Sequence, residues 1–223
     1  MMNNSILVIG TRRYSSWSLR GWLAVRLAGL DVREQVIPLA DTGETPAIRT
    51  ISPNGKVPYL EHDGAAVWES LAICEYCAEQ APGLWPADAR ARAYARSIAA
   101  EMHAGFRAVR AAMPMNTGRE NRPLAAGTTA DIDADIARID AIWTEARLDF
   151  GKDGDFLFGE KFGMADAMFA PIVSRFLSYG VSPSPESRAY MTAVRAHPLM
   201  AEWYQLAAQE PKQWQQARFE DIG

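Results

Sequence analysis

Three serines stand close together near the N-terminus, Ser15, Ser16 and Ser18. An apolar run at residues 6–9 precedes them and is typical of a buried strand. Apolar residues at helical spacing follow them over residues 19–30. The hydroxyls therefore lie where a strand turns into a helix, beside unpaired backbone N–H groups and the positive end of the helix dipole. Such a turn stabilises an anion such as a thiolate; the alternative is that one of these serines only caps the helix.

A second set of chemically distinctive residues lies at turns further along the chain. Gly55 suits a tight turn, and Pro58 interrupts the start of a strand, where it is a candidate for a cis peptide bond. A hairpin signal at residues 63–64 joins two antiparallel strands. Glu69 and Ser70 follow them at the start of another helix. With the strand predicted over residues 32–39, the first eighty residues alternate strands and helices around a mixed four-stranded sheet.

Cys74 and Cys77 form a C-x-x-C pair within that later helix. Redox versions of this pair stand at a helix N-terminus after a strand, where the dipole lowers the thiol pKa. Here the pair lies a turn inside the helix and has no second metal-ligand pair elsewhere in the chain. The alternative to redox or metal chemistry is packing in the core.

The composition is that of an ordinary globular protein, with 223 residues, 48% hydrophobic, 22% charged and a net charge of −4. No basic run suggests nucleic acid, and no apolar stretch is long enough to span a bilayer. The N-terminus lacks a secretory pattern, and two cysteines make no disulfide scaffold. We therefore expect a cytoplasmic protein without nucleic-acid, membrane or metal partners.

Prolines and a glycine at residues 82–88 mark the best domain boundary in the chain. We expect one domain over residues 1–81, a linker over 82–88 and a second domain over 89–223. The second has no strand signal and is predicted to be an all-helical bundle. Its first helix is predicted to run over residues 88–113, because apolar residues recur there every three or four positions.

A later helix, from Gly163, has apolar residues on most faces and is therefore predicted to be central and buried. Asp166 in its first turn can accept backbone N–H bonds. Pro198 can start the last helix, and the chain from Glu210 onward is expected to form a tail.

This arrangement resembles a cytosolic glutathione transferase of the serine type, nearest to zeta-like bacterial members. The resemblance covers nearly the whole chain and rests on four stretches. Residues 14–18 resemble the zeta serine motif, whose first serine activates glutathione. Residues 56–58 resemble a Gln-Val-Pro or Lys-Val-Pro motif with a cis proline. Residues 69–70 resemble a pair that binds the γ-glutamyl end of glutathione, and residues 163–166 resemble a Ser/Thr-x-x-Asp capping box.

Three departures from the family pattern stand in the chain. Gly163 takes the place of the capping-box hydroxyl, so only the Asp166 half of that motif is retained. Trp17 occupies the position of the zeta cysteine. The zeta isomerases also rely on an arginine after the proline of the buried helix; Arg175 lies nearby but not at the matching spacing.

The resemblance implies a thioredoxin-like domain that binds glutathione, followed by a helical domain that receives a small electrophile. It implies that Ser15 donates a hydrogen bond to the glutathione thiolate, with Ser16 as the alternative. The glutathione-binding residues that it implies are Lys56, Val57, Pro58, Glu69 and Ser70. The electrophile is expected between the domains, near Tyr14, Trp17, His103, Phe106, Arg107, Arg110 and Met113. Arg107 or Arg110 would favour an acidic substrate; otherwise these are ordinary core and surface residues of a helix.

The predicted activity is that of a glutathione S-transferase, with glutathione as co-substrate and no metal, and a homodimer is implied. One alternative is a zeta-like glutathione-dependent isomerase. Another is a non-catalytic glutathione- or ligand-binding protein of the same fold, because a fold does not determine a function. A thiol reductase would need a cysteine near Ser15, where Trp17 stands instead.

Overall fold

A four-stranded sheet forms the first part of the computed structural model, which describes residues 5–41, 44–152 and 154–222. The strands are β1 (Ile6–Gly10), β2 (Arg33–Ile37), β3 (Tyr59–His62) and β4 (Ala65–Trp68). Their order in the sheet is β2-β1-β3-β4, with β1 parallel to β2 and the other pairs antiparallel. The mixed four-stranded sheet predicted from the sequence is confirmed.

Strand β1 is buried on both faces, as its unbroken apolar run predicts. Leu7 and Ile9 face the main core, which includes Leu19 of the first helix. Ile6 and Val8 face a smaller cluster on the other side of the sheet. Because side chains alternate across a strand, these four residues attach the sheet to both layers.

Three helices belong to this first part: α1 (Ser16–Leu27), α2 (Pro46–Arg49) and α3 (Ser70–Gln80). Helix α1 packs against α3 and passes very close to the turn before β3. A Cβ atom on Gly21 would lie only 2.7 Å from Cγ of Pro58. The absence of a side chain at residue 21 thus allows α1 to pack directly against the Pro58 ring.

The second part is helical, as predicted. Its helices in the described residues are α4 (Ala89–Ala104), α5 (Arg107–Ala112), α6 (Ala130–Phe150), α7 (Met164–Tyr179), α8 (Pro185–Ala196), α9 (Pro198–Ala208) and α10 (Ala217–Glu220). Helix α3 ends at Gln80 and α4 begins at Ala89; the domain bounds 1–81 and 89–223 stay a prediction. No helix in these described ranges combines the length and the apolar character needed to cross a bilayer.

The single helix predicted over residues 88–113 is wrong, because it is broken in the middle. Gly105 is extended and Phe106 is left-handed, with φ of 57°. A side chain at residue 105 would put its Cβ 2.8 Å from the carbonyl oxygen of Glu101, so glycine suits this abrupt end. The Arg110 guanidinium turns back and donates to the carbonyls of His103 and Gly105, both at 3.2 Å. The apolar residues keep helical spacing on both sides of the break, so the sequence pattern did not indicate it.

Helix α7 is central and buried, as predicted. The Asp166 carboxylate accepts the backbone N–H groups of Leu157 and Gly163, at 3.1 and 2.8 Å. Burial raises the pKa of Asp166 to about 6, against these bonds, which lower it. A Cβ atom on residue 163 would lie 2.9 Å from the Leu84 carbonyl oxygen. The close passage of residue 84 therefore explains why this chain has glycine at the first position of the capping box.

Candidate active site

Two adjoining cavities lie where the first part of the chain meets the helical part. The first has a volume of about 460 Å³. It is lined by Tyr14, Ser15, Ser16, Trp17, Leu39, Thr45, Ile48, Asn54, Gly55, Lys56, Val57, Pro58, Glu69, Ser70 and Arg110. All seven residues predicted for catalysis and glutathione binding line this one cavity.

Ser15 occupies the N-cap of α1 and is 6% exposed. Its hydroxyl donates to Oγ of Ser18 at 2.7 Å and accepts the Ser18 N–H at 3.3 Å. Ser18 Oγ in turn accepts the Gly10 N–H at 2.9 Å. Ser15 can therefore both cap the helix and bind an anion. Its hydroxyl proton is directed at the neutral Ser18 hydroxyl and can rotate towards a stronger acceptor.

Ser16 has a different neighbour. Its Oγ accepts a hydrogen bond from the Arg175 guanidinium at 3.3 Å, across 159 positions of sequence. Ser15 thus belongs to a neutral hydroxyl network, whereas Ser16 lies beside a buried cation. The two serines, indistinguishable in the sequence, differ in the tertiary structure.

Tyr14 lines the cavity through its ring, while its hydroxyl is engaged elsewhere. The hydroxyl donates to the Glu220 carboxylate at 2.5 Å and accepts the Gln216 N–H at 3.2 Å. Burial and the Glu220 carboxylate raise the pKa of Tyr14 to about 12. The phenol is therefore neutral at physiological pH and serves as wall rather than as base.

The turn before β3 presents open backbone to the cavity. The Val57–Pro58 peptide bond is cis, as the sequence pattern indicated, and β3 begins only at Tyr59. The side-chain Oδ1 of Asn54 accepts the Lys56 N–H at 3.0 Å, and its Nδ2 donates to the Glu69 carboxylate at 3.1 Å. Asn54 thus links this turn to the start of α3, a role that its place in an Asn-Gly pair did not reveal.

Glu69 and Ser70 stand at the N-terminus of α3. Glu69 has φ of 68°, a left-handed conformation that is costly for a residue with a side chain and that concentrates at functional sites. Ser70 is fully buried, and its hydroxyl has no hydrogen-bond partner among the described residues. A buried hydroxyl without a partner, at the positive end of a helix, is suited to receive a carboxylate.

The second cavity, also about 460 Å³, shares Ser16, Trp17 and Arg110 with the first. Its other lining residues are His103, Ala104, Arg107, Ala111 and Arg175. Five of the predicted electrophile-pocket residues, Tyr14, Trp17, His103, Arg107 and Arg110, therefore line one or both cavities. Phe106 and Met113 line neither and pack in the main core.

Three guanidinium groups surround Trp17 and Ser16. Those of Arg20 and Arg110 lie 4.6 and 4.5 Å from the centroid of the Trp17 ring, and Arg175 reaches Ser16 from α7. In the described part of the chain, none of the three forms an ion pair with a carboxylate. Within the same described ranges, buried Nη1 of Arg20 and Nε of Arg175 have no hydrogen-bond partner.

Burial, and after it the neighbouring positive charges, lowers the pKa of two of these arginines. Burial, with Arg175 and Arg110, lowers the pKa of Arg20 to about 9. Burial and Arg110 lower that of Arg175 to about 10. Arg20 and Arg175 were not among the predicted site residues. The available signal was an arginine one turn after Ser16 and another in the apolar central helix, where a charge is rarely buried without a reason.

His103 connects the two cavities. Its ring is edge-on to Trp17, with centroids 5.2 Å apart, and its Nε2 lies 3.6 Å from the Glu69 carboxylate. Burial and the Arg20 charge lower the pKa of His103. Both causes disfavour the charged imidazole beside these guanidiniums.

The C-x-x-C pair has the properties of core packing. Cys74 and Cys77 are both buried with free thiols. Burial raises the pKa of both, that of Cys77 to about 12. Within the described residues no cluster of His, Cys, Asp and Glu suitable for a metal ion occurs.

Comparison with known proteins places these features in a family. Residues 14–80 match the model of the glutathione S-transferase N-terminal domain, and residues 87–206 match that of the C-terminal domain. Rat maleylacetoacetate isomerase is 28% identical over 182 residues, which cover 78% of this chain and 79% of the rat protein. Protein IN2-1 homolog B from Oryza sativa subsp. indica is 27% identical over 164 residues, 72% of this chain but only 61% of that protein's length.

A solved structure has the same fold at lower identity. A glutathione transferase homolog from Burkholderia gl BGR1, with bound glutathione, superposes with a TM-score of 0.70 at 20% identity. The superposition covers 93% of this chain and all of that one. Because the two family models together span most of the sequence and both cavities, the chain belongs to the glutathione S-transferase family.

Proposed function

We propose that this protein is a glutathione transferase that binds glutathione in the first cavity and holds its thiol as a thiolate beside Ser15. One observation carries the proposal. The Ser15 hydroxyl and the unpartnered Ser70 hydroxyl, at the N-termini of two different helices, line the same cavity of about 460 Å³. Two anion-binding positions in one cavity suit a ligand with a thiolate and a carboxylate.

The binding roles follow from the charges of the lining groups. Ser70 receives the α-carboxylate of the γ-glutamyl group, and Glu69 receives its ammonium. The open backbone at Val57, before the cis Pro58, pairs with the cysteinyl part in a strand-like contact. Lys56 is exposed and can pair with a second carboxylate.

Thiol activation is the chemical step assigned to Ser15. A free thiol of this kind has a pKa of about 8.5, and lowering it by two units corresponds to about 2.7 kcal/mol. Turning the Ser15 proton from Ser18 to the sulfur would supply a hydrogen bond to the charged form, and the dipole of α1 adds to it. The serine stays neutral, so it is a donor and not the nucleophile. The thiolate then attacks the electrophilic carbon, forming the carbon–sulfur bond as the leaving group departs.

The second cavity is the proposed electrophile site, next to Trp17 and Arg110, which line both cavities. The Burkholderia homolog, which holds glutathione, supports the binding half of the proposal through its fold. A cytoplasmic location and a homodimer stay predictions.

An ultraviolet difference titration of the protein with glutathione tests the proposal. For the wild type we expect thiolate absorbance with an apparent thiol pKa well below 8.5. In Ser15→Ala the ratio of bound thiolate to bound thiol should fall roughly 10- to 100-fold, because a hydrogen bond to a charged group is worth about 1.5–3 kcal/mol. Ser16→Ala is the matched control, one residue away and also lining the cavity.

Each other outcome has a distinct meaning. A shift that is lost in Ser16→Ala but kept in Ser15→Ala assigns activation to Ser16. Saturable binding without any thiolate signal favours a non-catalytic glutathione-binding protein instead.

A glutathione-dependent isomerase is the second candidate, and the arginine cluster favours it. The guanidiniums of Arg110 and Arg175 line the second cavity and have no carboxylate partner among the described residues, which suits an electrophile that carries one or more carboxylates. The rat relative is named a maleylacetoacetate isomerase, and this activity is consistent with a negatively charged substrate. In an isomerisation the thiolate adds to a double bond, the adduct rotates about the resulting single bond, and the thiolate leaves again.

A further inference from the structure

The C-terminal segment, residues 210–222, is not the tail that the sequence suggested. It folds back over the loop that precedes Ser15, and we call it the strap. The Glu210 carboxylate accepts the backbone N–H groups of Arg12 and Arg13, at 2.6 and 3.2 Å. One carboxylate from the far end of the chain thus satisfies two successive donors of the loop.

Glu220 makes the second connection. Its carboxylate accepts two hydrogen bonds from the Arg13 guanidinium, at 2.7 and 3.1 Å, and one from the Tyr14 hydroxyl at 2.5 Å. The Phe219 ring lies 5.0 Å from the Tyr14 ring, centroid to centroid. Such a two-pronged arginine–carboxylate pair specifies orientation as well as proximity.

The strap is also attached to the helical part of the chain. Asn116 donates to the Phe219 carbonyl at 3.1 Å, and Arg122 donates to the Glu220 carbonyl at 3.2 Å. The Arg119 guanidinium, itself buried, donates to the Ile222 carbonyl. The strap therefore joins the residue 116–122 loop to the loop before Ser15.

The loop before Ser15 depends on these contacts. Its own part of the chain supplies the bonds from the Tyr14 and Ser15 N–H groups to the Thr11 carbonyl, at 3.2 and 2.9 Å. Arg12 and Arg13 lie between Thr11 and Tyr14, and their backbone N–H groups donate to the Glu210 carboxylate. The Arg13 carbonyl accepts the Thr117 N–H. The strap thus holds the backbone N–H groups of Arg12 and Arg13 and the side chains of Arg13 and Tyr14. The Arg12 guanidinium pairs instead with Glu34 of β2.

From these contacts we propose that Glu220 is a positioning residue, which through Arg13 and Tyr14 holds the Ser15 hydroxyl where it can donate to the glutathione thiolate. This inference rests on the proposed function. A strap that served only to stabilise the fold would leave the pKa of the bound thiol unchanged when one contact is removed. A strap that positions Ser15 makes that pKa depend on residues that do not touch glutathione.

The experiment measures the apparent pKa of the bound glutathione thiol by ultraviolet difference titration, with thermal unfolding of each variant. The variants are Glu220→Gln, Tyr14→Phe and the two combined. The matched control is Glu202→Gln, which breaks an ion pair with Arg26 on the surface of α9.

We expect the thiol pKa to rise by about half a unit to one unit in Glu220→Gln, a three- to tenfold loss of thiolate. The same shift in Tyr14→Phe, with no further rise in the double variant, would show that both act through their shared hydrogen bond. Glu202→Gln is expected to leave the thiol pKa at the wild-type value.

A lowered thiol pKa in the wild type that is unchanged in both single variants overturns the positioning role. If Glu220→Gln fails to fold, Tyr14→Phe decides alone, because it removes only a hydroxyl. A wild-type protein whose bound thiol titrates like free glutathione overturns the proposed function itself, and the positioning role with it.

Discussion

The first cavity is lined by hydroxyls and turn backbone, whereas the adjoining cavity is lined by guanidiniums. The first takes most of its polar groups from three turns of the sheet domain, around Ser15, Val57 and Ser70, and adds Arg110 from the helical part. The second takes its charges from two helices, with Arg107 and Arg110 on α5 and Arg175 on α7. The two cavities share Trp17, yet they are built by different means.

Both cavities hold groups that the free protein does not satisfy. Among the described residues, the Ser70 hydroxyl of the first cavity lacks a hydrogen-bond partner, and Arg175 of the second lacks a countercharge. A buried polar group without a partner costs about 1–3 kcal/mol, and an unpaired buried charge costs more. The difference suggests that the first cavity is specific through hydrogen-bond geometry, and the second through net charge.

The largest expected effect is that of Arg175→Met, which removes one charge from the second cavity. We expect kcat/KM for a carboxylate-bearing electrophile to fall about 30-fold or more, and that for a neutral aryl chloride to change less than about threefold. The free energy of unfolding should rise by roughly 1–3 kcal/mol, because an apolar side chain replaces a buried unpaired charge. Steady-state kinetics and urea unfolding measure the two quantities.

Arg90→Met is the control for Arg175→Met, since the Arg90 guanidinium lies over the Phe150 ring, away from both cavities. An equal loss for both electrophiles, together with lower stability, would contradict charge-based specificity in the second cavity.

A smaller effect is expected from Ser70→Ala in the first cavity. The glutathione Kd should rise about tenfold, because a hydrogen bond to a carboxylate is lost. Thermal stability should not fall, since this hydroxyl has no partner in the free protein. Calorimetric titration and thermal unfolding measure both, and Ser97→Ala, at an exposed serine bonded to the Ala93 carbonyl, is the control. Unchanged affinity would show that the hydroxyl is not directed at the ligand.

His103→Gln, beside both cavities, is expected to have the smallest effect on activity. It should change kcat/KM by less than about threefold at pH 7. The pKa of His103 is lowered by burial and by Arg20, although Glu69 opposes this. The folded state therefore binds fewer protons here than the unfolded state, whose histidine pKa is about 6.5. Its contribution to stability is complete above that pH and is lost as the pH falls through the folded value.

Urea unfolding at pH 7.5 and 5.5 tests this sign. The wild type should lose more stability on acidification than His103→Gln, while the shift at His197, whose pKa burial also lowers, is common to both and cancels. A steeper loss in the variant would mean that the charged imidazole is favoured in the fold.

Much of the first cavity could be predicted from the sequence, because its parts are local. Ser15 caps the helix that it precedes, Gly55 has the left-handed φ that a tight turn needs, and the peptide bond before Pro58 is cis. Each signal depends on contacts within a few residues, which side-chain type and spacing record directly. Asn54 was missed because its long-range bond to Glu69 leaves no such trace.

The second cavity was predicted less completely. The sequence analysis placed four of its lining residues there: Trp17, His103, Arg107 and Arg110. It predicted, however, a single unbroken helix over residues 88–113. The break at Gly105 and Phe106 turns Arg110 back over the end of α4. Periodicity alone cannot detect such a break, since the buried positions on either side of it keep their spacing.

Local sequence signals specify the strands, the caps and the turns that place Ser15 and Ser70 at helix N-termini. The side chains that meet these two serines come from distant parts of the chain and are brought there by the fold. Arg175 reaches Ser16 across 159 positions, and Glu220 reaches Tyr14 across 206. The reason is physical: caps and turns are satisfied within one turn of chain, whereas a contact between distant helices depends on how those helices cross and pack.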